Sequence, residues 1–198
     1  MHQRNLGPVV LTALILGGGC PGPSPASPPK IAMPESSKNS PLTIVATVTS
    51  GQLEVSVELQ NDRTTPLWVA SAIPQIRGAS IKMQPNSAYV YREDDRTIVG
   101  RRWFPVPDDI DVMAPLTPEW TRIAVGERYV STIVVPWPLI HHRPYIKAEQ
   151  GGERLGSPNN FDFELGVIPA VDALAATPPG ARDAILKQQQ IYRKRVVL

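Results

Sequence analysis

Leu53-Glu54-Val55-Ser56-Val57-Glu58-Leu59-Gln60 alternates apolar with polar residues at every step. Successive side chains of an extended chain point to opposite faces, so this stretch reads as a strand with one buried and one solvated face. Just upstream, Leu42, Ile44, Ala46 and Val48 alternate with Thr43, Val45 and Thr47, and Ser50-Gly51 separates the two runs. Two alternating runs around a short glycine-containing link predict a β-hairpin.

The same reading extends downstream. After a turn at Asn61–Pro66, a strand starts at Leu67–Ala70, and others are predicted at Ala79–Met83, Ala88–Tyr91 and Thr97–Phe104. Trp120–Val125 and Arg128–Val135 read as a second hairpin around Gly126-Glu127, ending at Pro136-Trp137-Pro138, where proline removes ladder donors. Phe161–Val167 alternates Phe161, Phe163 and Leu165 with Asp162 and Glu164, again a half-solvated strand. Many short strands at turn-punctuated spacing predict one mainly β domain over residues 42–198, an antiparallel β-sandwich. Immunoglobulin-like topology is the first choice on strand count, although the Cys–Trp–Cys pattern of that fold is missing. At the C-terminus, Ala181–Gln190 reads as a short helix with Asp183 early and Lys187 late, and Ile191–Leu198 as a closing strand.

The N-terminus is of another kind. Arg4 precedes an apolar run, Val9–Leu16, then Gly17-Gly18-Gly19 and Cys20, the single cysteine of the chain. A basic start, a short apolar run and small residues at a cut describe a secretory signal over residues 1–19. The run is well below the roughly 20 residues of a spanning helix. Over Met1–Cys20 the segment resembles a bacterial lipoprotein signal; Gly17 holds the place of that pattern's branched apolar residue, and Leu16 lies one position further out. The resemblance implies that Cys20 becomes a lipidated N-terminus, and that Pro21, in place of Asp, directs the protein to the outer membrane, facing the periplasm. The alternative is an ordinary secretory signal cut elsewhere, leaving a free thiol. Acylation with two or more chains gives lasting attachment to a bilayer, where one chain does not.

From Cys20 to Pro41 the composition turns to proline, serine, alanine and lysine, with Pro21, Pro23, Pro25, Pro28, Pro29, Pro34 and Pro41. Such a segment buries too little apolar surface to fold and reads as an extended tether of up to roughly 60 Å at about 3.1 Å per residue.

Candidate chemistry is sparse. His141-His142 is the one histidine pair outside the signal, but neighbours on an extended chain face opposite ways and do not share one metal. Asp108-Asp109 and Asp111, with Asp94 and Asp95, lack the spacing of a calcium loop. Gly151-Gly152-Glu153-Arg154-Leu155-Gly156 lacks the phosphate-binding lysine and the dinucleotide spacing. No Gly-x-Ser-x-Gly elbow is present, and a lipidated Cys20 is no longer a thiol. No catalytic residue, metal ligand or cofactor is therefore assigned. Twenty basic against 18 acidic residues leave no strong field, which argues against nucleic acid as a partner. Trp68, Trp120 and Trp137 read as core residues. Arg101-Arg102-Trp103-Phe104, ahead of Pro105, reads as an exposed partner-binding patch. Arg193-Lys194-Arg195 reads as a solvated terminus.

These features predict a non-enzymatic, lipid-anchored binding or accessory protein of the cell envelope. The competing classes are an envelope hydrolase or metalloenzyme using His141 and His142, and a sandwich-type protease inhibitor presenting Pro105–Pro118.

Overall fold

β1 (Leu42–Thr49) and β2 (Gln52–Gln60) pair antiparallel from Leu42↔Leu59 to Thr49↔Gln52. Gly51 takes the left-handed conformation, φ 81°, that a two-residue hairpin link calls for and that glycine adopts without steric cost. Leu53, Val55, Val57 and Leu59 are all buried, as their alternation predicts. The computed structural model that shows this describes residues 41–77, 80–146, 152–169, 184 and 186–198. The signal, Cys20, the tether up to residue 40 and most of the expected C-terminal helix lie outside the described residues.

The domain is mainly β, with two sheets packed as a sandwich. In the smaller sheet, β8 (Arg128–Pro136) lines the other side of β2, giving the order β1-β2-β8. The larger sheet is built on β3 (Leu67–Arg77), β4 (Ser80–Gln84), β5 (Tyr89–Glu93), β6 (Arg96–Arg101) and β11 (Asn160–Pro169), in the order β4-β3-β11-β6-β5. β7 (Glu119–Ile123) adds to β3, and β12 (Gln190–Val197) to β11. β6 and β11 run parallel, with Glu164 beside Gly100. A short pair, β9 (Leu139–Ile140) and β10 (Arg154–Gly156), forms a separate ladder whose Leu139 and Leu155 join the main core. Three strands on seven do not match the four-on-three of an immunoglobulin constant domain, so that finer topology is not confirmed.

Leu53, Val55, Val57, Leu59, Ile133 and Val135 from the smaller sheet meet Val69, Val90, Val99, Phe161, Phe163 and Leu165 from the larger one in a single buried cluster. Burial of these side chains, each contributing about 1.5–3 kcal/mol, is the main force joining the sheets. Arg101 adds a polar clamp. Fully buried, it donates from Nε to the Ser87 carbonyl (2.8 Å) and from Nη1 to the Ser71 carbonyl (2.8 Å), Ser131 Oγ (2.9 Å) and the Tyr129 hydroxyl (3.2 Å). Nη2 donates to the Pro85 carbonyl. Tyr129 and Ser131 belong to β8, so the guanidinium ties the two sheets together through the five groups it satisfies.

Two expectations are corrected. Trp120–Val125 and Arg128–Val135 do not pair with each other: β7 runs along β3 and β8 along β2, so the Gly126 turn carries the chain between sheets. Buried Asn61 holds that crossing, its amide donating to the carbonyls of Thr65 (3.1 Å), Ile123 (3.2 Å) and Ala124 (3.0 Å). Secondly, β11 is buried on both faces, because it is a central strand and its outer face is roofed by side chains. There Glu164 accepts from the Tyr91 hydroxyl (2.5 Å) and from Arg193, and Arg193 also reaches Glu93 (2.7 Å). Asp162 lies near Arg96 (3.6 Å) and Arg195 (4.0 Å). Arg193 and Lys194, expected in a solvated tail, are thus strand residues with partners, Lys194 donating to the Leu42 carbonyl (3.0 Å). The closing strand is present as β12. Of the expected helix, Ala184 and Leu186 are helical among the described residues.

Candidate functional site

β3 is long, and its second half leaves β11 behind to pair only with β4, from Ile73↔Gln84 through Pro74↔Met83 and Gln75↔Lys82 to Ile76↔Ile81. Alternation sends Pro74, Ile76, Ile81 and Met83 to one face of this arm, and Gln75 and Lys82 to the other. The apolar face is uncovered: Ile76 is 61% exposed, Ile81 52% and Met83 43%. Three adjacent large apolar side chains in water are what a recognition surface presents, whereas one would need no explanation.

The row leads into a groove of about 240 Å³ lined by Pro74, Ile76, Tyr89, Leu116, His142 and Tyr145. Its floor is rigid. Tyr89 packs edge-on against Phe104 (5.4 Å between centroids, 84°), and Tyr91 meets Phe104 in the same way (5.5 Å, 80°). Burial, and secondarily Tyr145, push the Tyr89 phenol up, so it stays a neutral hydroxyl. Tyr145 adopts φ 58°, and its hydroxyl accepts from the Leu116 N–H (2.6 Å), pinning the 105–118 loop to the groove wall. Farther along this loop Met113 is fully exposed. Arg143 supplies positive charge at the groove; it sits 5.9 Å from the Phe104 ring centre, and its buried Nε has no hydrogen-bond partner.

The two histidines separate. The His142 N–H donates to the Val90 carbonyl (2.6 Å) and its carbonyl accepts from the Val90 N–H (2.7 Å), while its ring lies 5.7 Å from that of Tyr89 in the groove. His141 bonds instead to the backbone of Glu153, and its Nδ1 lies 3.9 Å from the Glu153 carboxylate. Both imidazoles are held below their ordinary pKa, chiefly by burial; Glu153 opposes this at His141, and His141 itself adds to it at His142. Among the described residues, no three His, Cys, Asp or Glu side chains gather as a metal site.

The Arg101–Phe104 quartet does not form the exposed patch expected from its charges. Arg101 is fully buried, Trp103 is 6% exposed and Phe104 7%. Arg101 faces between the sheets as the clamp described above. Arg102 lies on the outer face, 4.3 Å from the Phe104 ring centre and 3.4 Å from the Glu164 carboxylate. Trp103 packs with Trp68, Trp120, Ile168 and Leu186, and the indole N–H groups of these three tryptophans are buried without hydrogen-bond partners. Trp137 packs against the main core.

Sequence reasoning missed the site that the fold builds. Ile76, Ile81 and Met83 carry a readable signal, apolar residues alternating with Gln75 and Lys82, but alternation alone does not say that the apolar face of the arm stays uncovered. Tyr89, Leu116 and Tyr145 come from separate segments and have no local signature. No family model, no curated protein and no solved structure matches this chain.

Proposed function

We propose that the protein is a non-enzymatic binding or accessory component of the cell envelope, anchored through lipid on Cys20 and carrying its sandwich domain on the proline-rich segment up to Pro41. Its partner is an envelope protein, engaged by the β3–β4 arm and the adjoining groove. The uncovered row Ile76, Ile81 and Met83, continuing into a groove with a fixed aromatic floor, carries this reading. An apolar centre with a few polar groups, here His142 and Arg143, is the usual composition of a protein-recognition site. The lipoprotein-like start with Pro21 after the cysteine supports attachment to the outer membrane, on the periplasmic side.

The experiment has two arms. Cys20→Ala should move the protein out of the membrane fraction and abolish acyl labelling; persistence in the membrane refutes the anchor. Ile81→Glu should abolish specific crosslinks to an envelope protein in intact cells without altering Cys20 acylation. Unchanged crosslinks refute the arm as the binding surface. A second reading, a protease inhibitor, is favoured by one observation: fully exposed Met113 lies in a loop secured at Leu116. Cleavage of, or tight association with, a protease at Met113 would distinguish it.

A further inference from the structure

The strands that end or flank the sheets expose backbone donors and acceptors, and proteins commonly guard such edges with charge or proline. Here β4 carries Lys82, β5 Arg92 and Glu93, β7 Glu119 and Arg122, β8 Arg128 and Pro136, and β12 Arg193, Lys194 and Arg195. β1, Leu-Thr-Ile-Val-Ala-Thr-Val-Thr, carries neither a charge nor a proline. It is also the first strand of its sheet, hydrogen-bonded to β2 alone, although β12 comes close to it and Lys194 reaches its first residue.

The register states which groups face outward. The Gln60 N–H donates to the Pro41 carbonyl (3.0 Å), so the odd-numbered residues of β1 bond to β2 and the even-numbered ones point the other way. Lys194 Nζ on the Leu42 carbonyl agrees with this direction and closes that end of the edge. Ile44, Ala46 and Val48 follow, and among the described residues no other strand bonds to their backbone. Val45, on the solvent face, is 61% exposed, and Val48 40%.

We propose that this edge is a self-association surface, in which β1 pairs antiparallel with β1 of a second copy about a two-fold axis at Ala46. Only an even-numbered residue can sit opposite an even-numbered one with both sets of donors engaged. Centring on Ala46 places Ala46 against Ala46 and Ile44 against Val48, for about six new main-chain hydrogen bonds. A strand without charge meets its own copy without like-charge repulsion. The same register sets Val45 against Thr47 on the solvent face and covers Val48 with Ile44 on the other. The two smaller sheets become one continuous sheet, leaving the β3–β4 arm of the other sheet unused.

The test uses the full chain carrying Cys20→Ser, in mild detergent. Sedimentation should show a dimer, and Ala46→Pro should raise its dissociation constant by at least about tenfold, because two or more main-chain bonds of about 0.5–1.5 kcal/mol each are lost. That N–H does not face β2, so the hairpin ladder is spared. Register is read by mixing Val45→Cys with Thr47→Cys chains. The two positions form a non-hydrogen-bonded pair about 4.5 Å apart at Cα, inside the range of about 4.4–6.8 Å that a disulfide spans. The mixed disulfide should form faster than either homodisulfide. A monomer at all concentrations, an unweakened Ala46→Pro dimer, or homodisulfides forming as fast as the mixed one overturns the proposal.

Discussion

Gly100 lies directly beside Glu164 across the parallel β6–β11 pair, and a Cβ placed on it would stand 2.6 Å from the Glu164 backbone carbonyl oxygen and 2.8 Å from its Cβ. The missing side chain leaves room for a buried carboxylate on the outer face of the larger sheet. Glu164 uses that room to gather Tyr91 and Arg193, with Arg102 at 3.4 Å. One glycine thus lets a charged network form where the strand would otherwise pack apolar side chains.

Gly100→Ala is expected to destabilise the domain by about 1–3 kcal/mol, the usual cost of overpacking a tight site. Its nearest neighbours are backbone and Cβ atoms, which cannot swing away. Chemical denaturation measures this directly, and a change under about 0.5 kcal/mol would mean that the two strands separate easily.

Arg101→Met should be worse, with a loss of at least about 3 kcal/mol, since three carbonyls and two hydroxyls lose a donor at once. Arg101→Lys keeps the charge but not the planar fork, so an intermediate loss is expected. Urea midpoints of the two variants rank the effects, and a stable Arg101→Met protein would show that the clamp is dispensable.

Both imidazoles have folded-state pKa values below the unfolded value of about 6.5, with burial as the leading cause. As pH falls through about 6.5 the unfolded chain binds protons that the folded one refuses. Stability from this source is therefore complete above about 6.5, declines below it, and levels off under the folded-state pKa. Groups facing His142 include His141, Arg143 and Tyr89, none of which supplies a negative charge in this range. A His141→Gln/His142→Gln variant should show a flatter decline in urea midpoint than the parent between about pH 7 and 5. Parallel curves would remove burial of the histidines as its cause.

Much of the fold was legible in the sequence because strand formation with one buried face is a local affair. Leu53–Gln60 shows its two faces in its own alternation, and Ser50-Gly51 marks its turn. The partner of a strand is not local. Arg128–Val135 and Trp120–Val125 read as a hairpin because they adjoin in sequence, yet buried Asn61 and the demands of the core send them to different sheets. Asp162 and Glu164 read as solvated for the same reason: their counter-charges come from other strands. Arg193, which meets Glu164, stands 29 residues from it along the chain.

By itself, the sequence determined the period-two strands, the mainly β class, the proline-rich composition up to Pro41, and the lipoprotein-like pattern ending at Cys20, since each depends on neighbouring residues. Only the tertiary structure decided that Arg101, Trp103 and Phe104 are interior while Ile76, Ile81 and Met83 face water. The physical reason is that a side chain's environment depends on what packs across from it. A charge is buried when distant partners satisfy it, and an isoleucine is exposed when its strand runs on beyond its central neighbour with nothing packed over that face.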